Sequence, residues 1–174
     1  CAAVPQSQDD DPEVWGPLLP HVLTATDPDR DLRLVGNDIA WLLDRTATHL
    51  NRRGEPEQAL PLRRRAHDLC SELLSDVHPH TLVVANNLAA DLRGVGAHAA
   101  ARALDERTLA DRRRLLGDDH PDTLVSAVNL AHGLWELGER GEARRLSQDA
   151  LDRSARVLGP DHPTTRVARG HLGR

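Results

Sequence analysis

Apolar and polar positions along most of this chain recur at helical rather than strand spacing. Leu82, Ala85, Leu88, Ala89 and Leu92 follow three- and four-residue steps, the rhythm that gathers side chains on one face of a helix. His78-Pro79 opens that helix, and Gly94 and Gly96 stop it. A second pattern, Ala100, Ala101, Leu104, Thr108, Leu115 and Leu116, starts near Ala97 and ends at Gly117, where a left-handed terminal residue suits glycine. Proline in a first turn gives up only an N–H that has no helical partner, and Thr81, Thr123 and Thr165 fall in such turns. The short glycine turn between the two helices makes them antiparallel.

The pair repeats. Leu74-Ser-Asp-Val-His-Pro-His-Thr-Leu82, Leu116-Gly-Asp-Asp-His-Pro-Asp-Thr-Leu124 and Leu158-Gly-Pro-Asp-His-Pro-Thr-Thr-Arg166 recur with a period of 42 residues, marked by His78, His120 and His162. Gly54, Gly96 and Gly138 share the offset, as do Ala59, Ala101 and Ala143, Leu50, Leu92 and Leu134, Leu62, Leu104 and Leu146, and the pair Asn87 and Asn129. Units of this kind bury their apolar faces only by stacking on one another. Ala89, Ala101, Ala131 and Ala143 let helices approach closely enough for ridges to enter grooves. The expectation is an all-α fold, an α-α superhelix or solenoid whose inner wall is made mainly by the first helix of each pair. Residues 1–12, rich in Gln, Ser and Asp, read as a flexible leader, and 13–174 as the solenoid. Within it the pattern predicts a helix over 15–26, repeats at about 28–75, 79–117 and 121–159, and a partial terminal helix over 164–172, with Asp27-Pro28 capping a long helix that reaches about Arg53.

Composition agrees with helices: 28 Leu and 22 Ala stand against three Trp and no Phe, Tyr, Met or Lys. Without lysine there is no Walker-type phosphate loop, no kinase strand lysine and no Schiff-base nucleophile. The missing Phe and Tyr and the net charge of −5 argue against nucleic acid. Arg63-Arg64-Arg65 and Arg112-Arg113-Arg114, set among acids, read as solvated helix faces. No apolar run approaches the ~18 residues of a membrane span, so no membrane role is expected. Cys1 and Cys70 are too few for a disulfide framework, which fits a reducing cytoplasm. A first residue of Cys rather than Met reads as a fragment of a longer protein, the alternative being an acylated lipoprotein.

The 42-residue unit resembles the kinesin light chain type of tetratricopeptide repeat. The resemblance is carried by Leu-Gly-Asp-Asp-His-Pro-Asp-Thr at 116–123, Asn129-Leu130-Ala131, Leu137-Gly138, Glu142-Ala143 and Leu-Gly-Pro-Asp-His-Pro-Thr at 158–164, and it covers about residues 36–172. Asp11-Pro-Glu-Val-Trp-Gly-Pro-Leu-Leu-Pro-His-Val-Leu23 is similar to the segment joining such repeats to the nucleotide-binding module of actinobacterial signalling ATPases of the NB-ARC type. That second resemblance implies a C-terminal sensing or partner-recruiting part whose upstream ATPase domain is a candidate partner. The chain departs from the family pattern at Ser75, which replaces the glycine of Gly117 and Gly159, and at Arg45, which replaces the Asn of Asn87 and Asn129.

Ten His residues invite a metal hypothesis, but His78, His120 and His162 sit one repeat apart at helix starts, a pattern for capping or inter-helix hydrogen bonds rather than one ion. Gly94-Val-Gly96-Ala-His-Ala99 matches a dinucleotide fingerprint formally but follows a helix instead of a strand. Ser126 and Ser147 lack a nucleophile elbow, and Asp118-Asp119 precede a helix N-terminus that favours negative charge. No catalytic, metal or cofactor site is assigned. What remains is a groove: Arg45 and His49, then Asn87 and Asp91, then Asn129 and Gly133, are expected outside the packing stripe, with Trp135 beside them. An Asn amide can clamp an extended backbone through its donor and acceptor, and the resemblance implies that role for Asn87 and Asn129. The other reading of the Asn pair is that it joins neighbouring helices. A protein or peptide ligand is therefore expected, with self-assembly into a homo-oligomer as the alternative and an enzyme as a third reading.

Overall fold

The computed structural model describes residues 20–22, 24, 26–27 and 36–173. The expected leader over 1–12, and most of the helix expected over 15–26, lie outside them, although residues 20–22 and 24 are helical. All regular structure among the described residues is helical: α1 (Gly36–Arg52), α2 (Pro56–Leu74), α3 (Pro79–Gly94), α4 (His98–Leu116), α5 (Pro121–Glu136), α6 (Arg140–Val157) and α7 (Pro163–Leu172). The chain forms two units, 1–78 and 79–174.

In the first unit α1 packs on α2 through Ala47, Leu50 and Ala59, with Leu62 beside them. Within the second, α5 is central and touches α3, α4, α6 and α7. Its core gathers Leu109, Ala127, Val128, Leu130, Leu134, Ala143, Ala150 and Ala168. The small residues expected at close approaches, Ala89, Ala101, Ala131 and Ala143, are all buried.

The second helix of each pair buries one stripe at fixed register: Ala59, Arg63, Ala66 and Cys70 in α2; Ala101, Asp105, Thr108 and Arg112 in α4; Ala143, Ser147, Ala150 and Ser154 in α6. This overturns two expectations. Ala100, Leu115 and Leu116 face solvent, because a stripe through 101, 104, 105, 108, 109 and 112 already fills the inner side of α4. The two arginine runs are not simply solvated faces, since Arg63 and Arg112 are buried. Arg63 donates to the Asp44 carbonyl at 2.7 Å, to the Asp44 carboxylate and to Thr48 Oγ1 at 3.1 Å.

Helix starts follow the histidines. His120 Nδ1 accepts the Asp122 N–H at 3.2 Å, and His162 Nδ1 accepts the Thr164 N–H at 3.3 Å, each satisfying an orphan donor of a first turn. At the end of each second helix the chain turns with positive φ: Gly117 at 87°, Gly159 at 94° and, at the same register, Ser75 at 110°.

Candidate binding face

The first helices of the second unit are covered on almost every side. In α3 the buried residues are Thr81, Leu82, Val84, Ala85, Asn86, Leu88, Ala89, Asp91 and Leu92. Past the first turn, Val83, Asn87, Ala90 and Gly94 form a strip left partly or fully open, with Arg93 half-buried on its flank. In α5 the same register leaves Val125, Asn129, His132 and Glu136. At about 100° per residue these steps of four, three and four stay within about 60° of arc, so each strip is one narrow face. On α7 the register continues with Val167 and His171.

Neighbouring strips are held side by side. Ser126 Oγ donates to Asn86 Oδ1 at 3.2 Å, joining α5 to α3. Beneath this bond Arg112 of α4 donates to Ser126 Oγ at 2.9 Å and to the Asp122 carbonyl at 2.8 Å, while burial works against its charge. Asn86 thus joins neighbouring helices, a link that sequence reasoning missed. Its only signal is a polar residue inside an apolar stripe. Between α5 and α7 the rings of His132 and His171 lie 5.5 Å apart. Glu136 reaches His132 Nε2 at 3.5 Å and His98 Nδ1 at 3.4 Å, so its carboxylate lies between two imidazoles. Among the described residues no group of three or more His, Cys, Asp or Glu is placed to hold a metal ion.

The predicted groove residues separate into two sets. Asn87 and Asn129 lie on the open strips, both half-buried, and Arg45 is half-buried on α1 with its guanidinium 5.6 Å from the Trp41 ring. Asp91 and His49, expected outside the packing stripe, are instead buried. A step of four from Asn87 carries Asp91 about 80° from Val83, past the edge of the strip, whereas Ala90 falls on it. Gly133, at the same register, is buried too, its Cα facing Arg93 and Asp105. Trp135 packs against the core cluster on the opposite flank, with the Arg140 guanidinium 3.8 Å over its ring.

Two buried groups carry perturbed protonation. Burial pushes the Asp105 carboxyl up to about 6, against the pull of Arg93, which donates to it. Burial, then the nearby Asp44 charge, pushes the Cys70 thiol up to about 11. Asp119 anchors the loop before α5 to α6: Arg153 reaches it at 2.9 Å and Arg156 at 2.8 Å, and these bonds hold its carboxyl below the usual range. Away from the strips, a cleft of about 380 Å³ runs between α4 and α6, with Leu109, Leu130 and Leu146 below and Arg113, Arg145, Glu142 and Asp149 among its lining. No helix among the described residues is long and apolar enough to cross a membrane.

The sequence profile of the tetratricopeptide repeat matches residues 38–111 and 81–154. No curated protein matches the sequence. Among solved structures, the nearly identical TPR-like repeats of a Podosopora anserina protein described as a kinesin light chain superpose with a TM-score of 0.76 at 22% identity, over 96% of this chain and 78% of that one. A point variant of the same repeats gives 0.75 at 22% identity, over 93% and 75%. BtubC (BKLC) from P. vanneervenii gives 0.76 at 16% identity, over 97% of this chain and 66% of that one. At such identities the likeness concerns the fold.

Proposed function

We propose that this chain, which belongs to the tetratricopeptide repeat family, is a non-catalytic module that binds an extended segment of a partner protein across α3, α5 and α7. The observation that carries the reading is the register. The open strips of α3 and α5 present an asparagine at the same place, Asn87 and Asn129, and a planar amide there can donate to a carbonyl and accept from an N–H of a bound backbone. The wider setting we propose is the partner-recruiting C-terminal part of a bacterial signalling ATPase, supported by the NB-ARC resemblance of residues 11–23, and a reducing cytoplasm, supported by the buried unpaired thiol of Cys70.

The test is a pull-down from actinobacterial lysate with the wild-type chain and the double variant Asn87→Ala, Asn129→Ala as baits. A partner held by wild type and lost by the variant, at unchanged helicity and melting, supports the reading. The same proteins on both baits count against it. A second reading, self-assembly, draws on Leu115 and Val157, which share a register on α4 and α6 and are 44% and 45% exposed. Light scattering that finds a concentration-independent monomer removes it.

A further inference from the structure

The caps of α5 and α7 depend on a ring nitrogen that acid takes away. In each, a histidine in extended backbone stands before a proline, and its Nδ1 accepts an N–H of the first turn: Asp122 at 3.2 Å from His120, Thr164 at 3.3 Å from His162. To accept there, the ring must carry its proton on Nε2. An imidazole protonated on both nitrogens donates twice and accepts nothing, so the cap hydrogen bond is lost and one N–H is left facing another. The added charge also stands at the positive end of the helix, where it is disfavoured. Serine and aspartate, the commoner caps, keep their acceptors between pH 5 and 8, the range over which histidine changes charge.

The surroundings of the two caps differ. Before His120 come Asp118 and Asp119, and Asp122 follows it in the first turn. From α4, Arg113 pairs with Asp118 at 3.1 Å, and buried Arg112 donates to the Asp122 carbonyl and to Ser126 Oγ. From α6, Arg153 and Arg156 hold Asp119. The start of α5 is thus tied to two other helices by bonds that the protonation of His120 leaves in place. Before His162 stands Asp161, exposed, and α6 puts uncharged Ser154 at the register where α4 puts Arg112. The bonds at the start of α7 run to its own loop: Thr165 Oγ1 to the Gly159 carbonyl at 2.9 Å and Arg169 to the Pro160 carbonyl at 3.3 Å. His132 and His171 stand near the far ends of their helices.

We propose that the histidine caps are a proton-operated device: acid uncaps both α5 and α7, and the ten-residue α7 loosens while α5 is held by Arg112 and by the arginines on Asp119. Losing such a cap shifts a local opening equilibrium about fivefold, and the charge left on the helix end adds to it.

The test is native-state hydrogen exchange at pH 7.5 and pH 5, read as protection factors so that the intrinsic pH dependence of exchange drops out. Wild type is compared with His120→Asn and His162→Asn, since asparagine is a favoured cap that does not titrate. Asp105, whose carboxyl titrates near 6, is present in all three proteins, so its contribution cancels in the comparison. Protection of α7 is expected to fall about fivefold in acid in wild type and in His120→Asn, and to stay level in His162→Asn, while the first turn of α5 changes less than α7 throughout. Ring-nitrogen NMR of wild type at pH 7.5 is expected to find the proton of His120 and His162 on Nε2. An equal fall of α7 protection in wild type and His162→Asn overturns the device, and so does a neutral ring protonated on Nδ1. A fall at the start of α5 as large as that of α7 overturns the hold ascribed to the arginines.

Discussion

Ser75 shows how much a single residue can deviate inside a repeat. At its register Gly117 and Gly159 turn with positive φ, and Ser75 adopts φ 110° and ψ 158°, a region open to glycine and strained for any side chain. Ser75→Gly relieves that strain but loosens the unfolded chain, and the balance is a gain of about 1 kcal/mol. Urea denaturation is expected to show a higher midpoint, and an unchanged or lower one contradicts it. Asp105 makes a pH argument. Its carboxyl, fully buried, titrates near 6 in the folded chain, against the usual 3.8. The folded state therefore keeps its proton to higher pH than the unfolded state does. This contribution is complete below about pH 4 and lost as pH rises through 6, a change on the order of 2–3 kcal/mol. Asp119, held below the usual range by its arginines, slopes the opposite way, so the readout is a difference. The stability of wild type minus that of Asp105→Asn is expected to fall between pH 4 and 7, and a flat difference refutes the assignment.

At the scale of the element, caps and turns were legible because they need particular chemistry at particular places. The recurring His-Pro step announced the starts of α3, α5 and α7, and the structure shows why histidine stands there: Nδ1 reaches back to the second N–H of the turn at His120 and His162. Removing that acceptor with His120→Ala is expected to cost about 1 kcal/mol, whereas His120→Asp, a favoured cap at the positive end of a helix, stays within a few tenths. Thermal melting of the two variants checks the pair, and equal losses would mean that the imidazole packs rather than caps. The buried stripes of the second helices were not legible. A pattern of apolar residues cannot announce Arg63, Asp105, Arg112, Ser147 and Ser154 as interior, since a buried polar group is recognisable only through partners the fold brings to it. Arg112 finds the Asp122 carbonyl and Ser126 across two helix boundaries, ten and fourteen residues away. The groove was half legible for a related reason. Asn87 and Asn129 stand out by their period, but the width of the open strip depends on neighbours covering both flanks, and that narrowing removed Asp91 and His49 from it.

For the whole molecule, a stack of repeats spreads damage according to contact rather than sequence distance. α5 packs against α3, α4, α6 and α7, whereas α7 rests on α5 and α6. Ala131 in α5 and Ala168 in α7 are both buried, at 1% and 0% exposure. A carboxylate forced into either site costs several kcal/mol unless the surroundings open to water. At Ala168 they can open by releasing a single ten-residue helix. At Ala131 the helix that must give way is the one on which four others rest. Ala168→Asp is therefore expected to lose far-UV circular dichroism equivalent to about one short helix, with the main urea transition retained. Ala131→Asp is expected to lose the greater part of the helical signal of residues 79–174. Hydrogen exchange locates the loss, confined to α7 in the first variant and spread over α3–α7 in the second. Equal losses would mean that the second unit unfolds as one body from any point, and that α7 is as much a part of its core as α5.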